Sequence, residues 1–135
     1  MSTVRGHFLW HELMTTDTKS AAEFYTKIVG WKTKAWNESY TMFMCGARPM
    51  AGLMVLPDEA KKMGAPPQWV SYISTPSVDE TARQATSLGA TILRAPTDIP
   101  MVGRFAVIQD PQGAAFAAFK LLEDMPSDPK PGIGD

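Results

Sequence analysis

Few side chains in this sequence could do chemistry, and Glu12 is the sharpest of them. It shares the run His7 to Thr15 with two histidines, and the alternation of that run reads as a strand. Successive strand side chains point to opposite faces, so His11 and Glu12 cannot reach one substrate atom together. A carboxylate on an apolar face would serve as a general base, or would grip a ligand amine or hydroxyl. Its structural alternative is satisfaction by a backbone amide, Arg5, Arg104 or water. His11 suits a local hydrogen bond between strand and helix better than catalysis. Tyr25 should pack under the sheet with its hydroxyl on a backbone partner. Cys45 has no base or helix N-terminus beside it in sequence to activate it. Arg48 and Arg104, isolated on strands, read as solvated. No phosphate loop, dinucleotide fingerprint, zinc spacing or nucleophile elbow is present.

Composition removes several functions. Thirteen basic residues nearly cancel fourteen acidic ones, and a net charge of −1 gives no electrostatic reason to bind nucleic acid or an anionic membrane. Hydrophobic residues at 44% and charged residues at 20% describe an ordinary globular protein, and 135 residues suffice for one domain. The single Cys45 excludes an internal disulfide and suits a reducing compartment. No run reaches the roughly 20 apolar residues that span a bilayer, and no apolar stretch follows Arg5 as in a secretory signal. A cytoplasmic location is expected.

The elements that must position Glu12 occur twice. In the first copy Asp17 caps a helix carrying Ala21, Ala22, Phe24, Tyr25, Ile28 and Val29 at helical spacing, closed by Gly30. Strands are then expected over Trp31 to Asn37, Tyr40 to Cys45 and Met50 to Leu56. In the second copy a strand from about Gln68 to Thr75 leads to Ser77, which forms a capping box with Glu80. Val78, Ala82, Ala85 and Leu88 make its apolar stripe, closed by Gly89. The caps precede the glycines by thirteen and twelve residues, and so regular a spacing predicts a duplicated βαβββ module. Strands follow over Ala90 to Arg94, Arg104 to Gln109 and Ala114 to Lys120, the last two joined by a tight Asp110-Pro111-Gln112-Gly113 turn. The expected organisation is one domain over residues 1–120, with module one at about 5–56, a linker at 57–67 that includes one short helical turn, and module two at 68–120. Residues 121–135 should form a loose tail.

Phe24-Tyr25 to Gly30-Trp31, then Gly89-Ala90, Gly103-Arg104-Phe105 and Asp110-Pro111-Gln112-Gly113 follow one another in an order that resembles the vicinal-oxygen-chelate superfamily of glyoxalases, bleomycin resistance proteins and dioxygenases. The likeness runs from about Gly6 to Lys120. Trp10 to Thr15 and Gly103 to Gly113 resemble a bacterial glyoxalase-like or hydroxylase-like subgroup. The resemblance implies an α+β fold in which two βαβββ modules form a cup-shaped, open barrel-like sheet with helices outside. It also implies a small-molecule ligand in the cup and a homodimer.

Metal-using members of that superfamily direct four His, Gln or Glu ligands into the cup. The matching positions here are Trp10, Val70 or Trp69, Ala117, and a strand from Met50 to Val55 that offers thioethers alone. A catalytic divalent ion needs about three N or O donors, so no metal and no cofactor are expected. If Trp10 faces the cup, alternation brings Phe8, Glu12 and Met14 with it and turns Leu9, His11 and Leu13 to the helix. Ala117 and Phe119, with Ala115, line the opposite strand; Phe43, Met54 and Trp69 or Val70 are further walls. An aromatic, methionine and alanine lining with one carboxylate suits a metal-independent small-molecule-binding protein. The alternative is a glyoxalase-like lyase or isomerase, or a hydroxylase-like enzyme, that uses Glu12 without a metal; a third option is an interaction domain with a filled cup.

Overall fold

A computed structural model describes residues 5–122. The expected loose tail lies, from residue 123 onward, outside the described residues. Among the described residues, eight strands and three helices follow one another as β1 (Phe8–Thr15), α1 (Thr18–Val29), β2 (Lys32–Ala35), β3 (Thr41–Cys45), β4 (Arg48–Val55), α2 (Asp58–Lys62), β5 (Gln68–Ser74), α3 (Val78–Ser87), β6 (Thr91–Ile99), β7 (Gly103–Gln109) and β8 (Ala115–Leu121). The class is mixed α+β, and the βαβββ order occurs twice. Contacts gather the chain into two compact units. One is Trp10–Ser71, and the other joins residues 5–9 to 72–122, so both boundaries fall within strands.

In the first βαβββ repeat the strand order is β2-β3-β4-β1. The outer pairs are antiparallel, while β1 and β4 run parallel with Glu12 opposite Gly52 and Met14 opposite Met54. Asp17 caps α1 as expected, its carboxylate accepting from the Ser20 amide at 3.0 Å. Gly30 ends the helix at φ 84°, a left-handed conformation that costs a residue with a Cβ about 1 kcal/mol or more. Leu13, Phe43, Ala51 and Leu53 form the core beneath Ala21, Ala22, Tyr25 and Trp31. The helix stripe is only half used, because Phe24, Ile28 and Val29 remain exposed.

In the second repeat the order is β6-β7-β8-β5, with β5 and β8 parallel. Val78, Ala106, Ile108 and Ala118 form the core on the α3 side, joined by Ala85, Ile92 and Phe116. Ser77 accepts from the Glu80 amide at 3.1 Å, but the capping box is only half made. The Glu80 carboxylate pairs with Arg83, and the Ser77 amide donates to Thr75 Oγ1 instead. Leu88 is the C-cap and stays exposed, so it is not part of the buried stripe. β6 runs five residues beyond the expected strand, crossing Pro96 through register shifts against β7. The Asp110 turn forms as read, with Gly113 N donating to Asp110 O at 3.0 Å.

Candidate functional site

Within Trp10–Ser71, the packing of Leu13 under α1 fixes which β1 side chains turn away from the helix. Trp10, Glu12 and Met14 share that opposite face with their β4 neighbours Gly52 and Met54. Glu12 and Met14 are nearly inaccessible, at 2% and 3% exposure, whereas Trp10 is partly exposed. The loop Trp36–Ser39 sets Tyr40 above them, since the amides of Trp36 and Asn37 both donate to the Tyr40 carbonyl. The ring then lies directly over Gly52, where any Cβ would stand 1.7 Å from the phenol oxygen. A side chain at position 52 would displace the Tyr40 ring, so the close approach favours glycine there.

The phenol is the centre of a short polar chain. Trp10 Nε1 donates to the Tyr40 hydroxyl oxygen at 2.8 Å, and Tyr40 is hydrogen-bonded in turn to the Glu12 carboxylate. Burial, then the adjacent Glu12 charge, push the phenol well above its ordinary value, against the opposing indole donation. Tyr40 therefore stays protonated and donates to Glu12. A carboxylate at 2% exposure needs such partners, because desolvating a lone charge costs several kcal/mol. Sequence reading missed Tyr40 altogether. The one signal was Gly52 inside a strand, which marks a close approach without saying what approaches.

Other residues fall elsewhere. Phe43 and Trp69, read as cup walls, lie instead on the α1 side. Their rings stand 5.9 and 5.3 Å from that of Tyr25, and Trp31 completes the cluster. The cause is alternation: Phe43 and Leu53 pack under the helix, so their β3 and β4 neighbours take the other face. Val70, 1% exposed, therefore takes the away-facing position in β5. Tyr25 accepts from Trp69 Nε1 at 3.1 Å, a side-chain rather than a backbone partner. His11 Nδ1 lies 3.0 Å from Ser71 Oγ on that same side, a contact that joins strand to strand. Arg104 is not merely solvated, since it bridges Asp79 and Asp98. Cys45 is exposed.

In the unit of residues 5–9 and 72–122, Ala117 and Phe119 lie on the face away from α3, as alternation required. Tyr72 stacks at 6.1 Å on Phe105 and meets Phe119 edge-on at 5.6 Å, while the Arg94 guanidinium stands 5.8 Å over the Phe105 ring. Sequence reading gave Tyr72 and Arg94 no role in a site, and named Phe105 only within the Gly103-Arg104-Phe105 motif. Phe8 is 65% exposed.

The donor set does not fit the divalent metal that the resemblance brings with it. Trp10 presents an indole N–H, which has no lone pair to give and is already donated to Tyr40. Val70 and Ala117 offer alkyl groups, and β4 offers methionine sulfur. Among the described residues no three His, Cys, Asp or Glu side chains gather as a ligand group. Glu12 and Tyr40 supply two oxygens, and His11 is turned to the other face.

Comparison with known proteins agrees with the repeated βαβββ order. Residues 6–118 match the family model described as the Glyoxalase/Bleomycin resistance protein/Dioxygenase superfamily. Over 119 residues the chain is 35% identical to "Putative glyoxylase CFP32" of Mycobacterium tuberculosis, covering 85% of this chain and 44% of that protein. It is 26% identical to "Anthracycline biosynthesis protein DnrV" of Streptomyces peucetius, covering 82% and 46%. The chain thus spans less than half the length of these curated relatives. An extradiol ring-cleaving dioxygenase from B. fuscum shares the fold with a TM-score of 0.56 at 15% identity, covering 89% of this chain and 34% of that one. With two βαβββ repeats and a family match across nearly all the described residues, the chain belongs to the glyoxalase/bleomycin resistance protein/dioxygenase superfamily.

Proposed function

We propose that this protein binds a small, partly aromatic molecule without a metal ion, at the face of Trp10–Ser71 turned away from α1. The observation that carries this reading is the Trp10–Tyr40–Glu12 hydrogen-bond chain, set among Met14 and Met54. Trp10 and Tyr40, both partly exposed, form the entrance, and the carboxylate behind them supplies the polar anchor. Methionine thioethers adapt to varied apolar shapes, which suits a ligand-binding face. Phe8, Ala117 and Phe119 remain proposed ligand contacts on their own unit. The reading includes a single domain over residues 1–120, a homodimer and a cytoplasmic setting. No helix among the described residues is long and apolar enough to cross a membrane.

The relatives named as glyoxylases favour a second reading, supported by the pairing of carboxylate and phenol. Glu12 would then act as a general base in a lyase, isomerase or hydroxylase-like reaction. Both readings meet in one experiment. Thermal-shift screening of small aromatic metabolites, with and without EDTA, should give a ligand whose stabilisation is unchanged by chelator and reduced in Glu12→Gln. Chemical conversion of that ligand, followed by mass spectrometry and abolished in Glu12→Gln, would select the enzyme. Strong stabilisation by Mn, Fe, Ni or Zn ions would sink metal independence.

A further inference from the structure

The unit of residues 5–9 and 72–122 has an open cleft of about 200 Å³ beside α3, away from the Tyr72–Phe119 face. Its apolar lining is Ile73, Phe116 and Ala118, and its polar lining includes Arg5, Thr81 and Gln84. Thr75 and Thr81 hydroxyls, 2.7 Å apart, hold one edge of it.

Among the described residues, the lining carries one full charge and no carboxylate to balance it. Among the described residues, neither the Arg5 guanidinium nor the Gln84 carboxamide is engaged by a hydrogen bond or ion pair. The acidic side chains in the first turn of α3 are committed elsewhere, Asp79 to Arg104 and Glu80 to Arg83. A guanidinium is a planar fork matched to a carboxylate or phosphate, and beside it stand a carboxamide donor and an aromatic ring.

We propose that this cleft binds a small organic carboxylate. Its anionic head takes the Arg5 fork and the Gln84 amide, and its apolar body lies against Ile73, Phe116 and Ala118. Size limits the ligand, because drug-sized molecules occupy pockets of about 300–1,000 Å³. The apolar lining selects an acid with a hydrocarbon body over inorganic phosphate. The cleft shares no residue with the Trp10–Tyr40–Glu12 chain, so either proposal can fail alone.

The test is an amide NMR titration of the full chain with benzoate, with benzamide as the uncharged match and inorganic phosphate as the tailless anion. Benzoate should produce saturable shifts at Thr75, Thr81, Gln84 and Phe116. Arg5→Gln, at an exposed position that leaves the fold intact, should weaken binding roughly tenfold, as loss of a charge-assisted pair does. Gln84→Ala should weaken it less, and benzamide should bind more weakly than benzoate. Absence of saturation, equal affinity in Arg5→Gln, or phosphate binding as tightly as benzoate would each overturn the proposal.

Discussion

Removing the Tyr40 hydroxyl takes the acceptor from Trp10 Nε1 and a donor from the Glu12 carboxylate in one step. Tyr40→Phe should therefore lower stability by about 1–3 kcal/mol, measured by urea denaturation at neutral pH. The same phenol gives a pH signature. Its folded-state value lies above the ordinary 10.0, so at high pH the folded protein retains a proton that the unfolded chain has released. Stability from this group is complete below pH about 10 and is lost as pH rises towards the folded value. The urea midpoint of the wild type should fall across that alkaline range, and Tyr40→Phe should fall less steeply. Equal slopes would mean that Tyr40 is not the group retaining the proton.

At the scale of the element, β1 and β4 matter because their parallel register sets Gly52 beside Glu12 and beneath Tyr40. A methyl at position 52 would fall 1.7 Å from the phenol oxygen and 2.3 Å from Cζ, so the ring must leave. Gly52→Ala should cost about 1–3 kcal/mol in denaturation, the usual range for overpacking. The Trp10 indole N–H resonance should also move towards its solvent-exposed position. A stable variant with an unmoved indole signal would show that Tyr40 does not depend on this glycine. The α1 side answers to different forces. There Tyr25, Trp31, Phe43 and Trp69 interlock edge to face and tilted, at about 0.5–1.5 kcal/mol per ring pair beyond burial. That cluster packs α1 against the sheet, and Phe43 and Trp69, read from sequence as ligand walls, stand within it.

For the whole molecule, the net charge of −1 leaves apolar contact rather than electrostatic steering as the route to a partner. Phe24 and Ile28 on α1, 55% and 67% exposed, are apolar surface that a monomer leaves in water. The proposed homodimer predicts a sedimentation mass of twice the 14.8 kDa chain at micromolar concentration. A mass of one chain across the concentration range would remove dimerisation from the functional reading.

Much of this fold was legible because its signals are local. Asp17 and Ser77 are capping types at caps, Gly30 is a left-handed stop, and Asp110 to Gly113 is a turn whose residues preset their own dihedrals. Alternation along β1 placed Glu12 opposite Leu13 with no reference to any other strand. Register between strands is not local. It put Gly52 next to Glu12, turned Phe43 and Trp69 under α1, and laid Tyr40 across the glycine. Each of those outcomes depends on pairing residues far apart in sequence, where a shift of one position reverses every face. The type and side of the buried carboxylate could thus be read from the chain, whereas its phenol partner was chosen by tertiary packing.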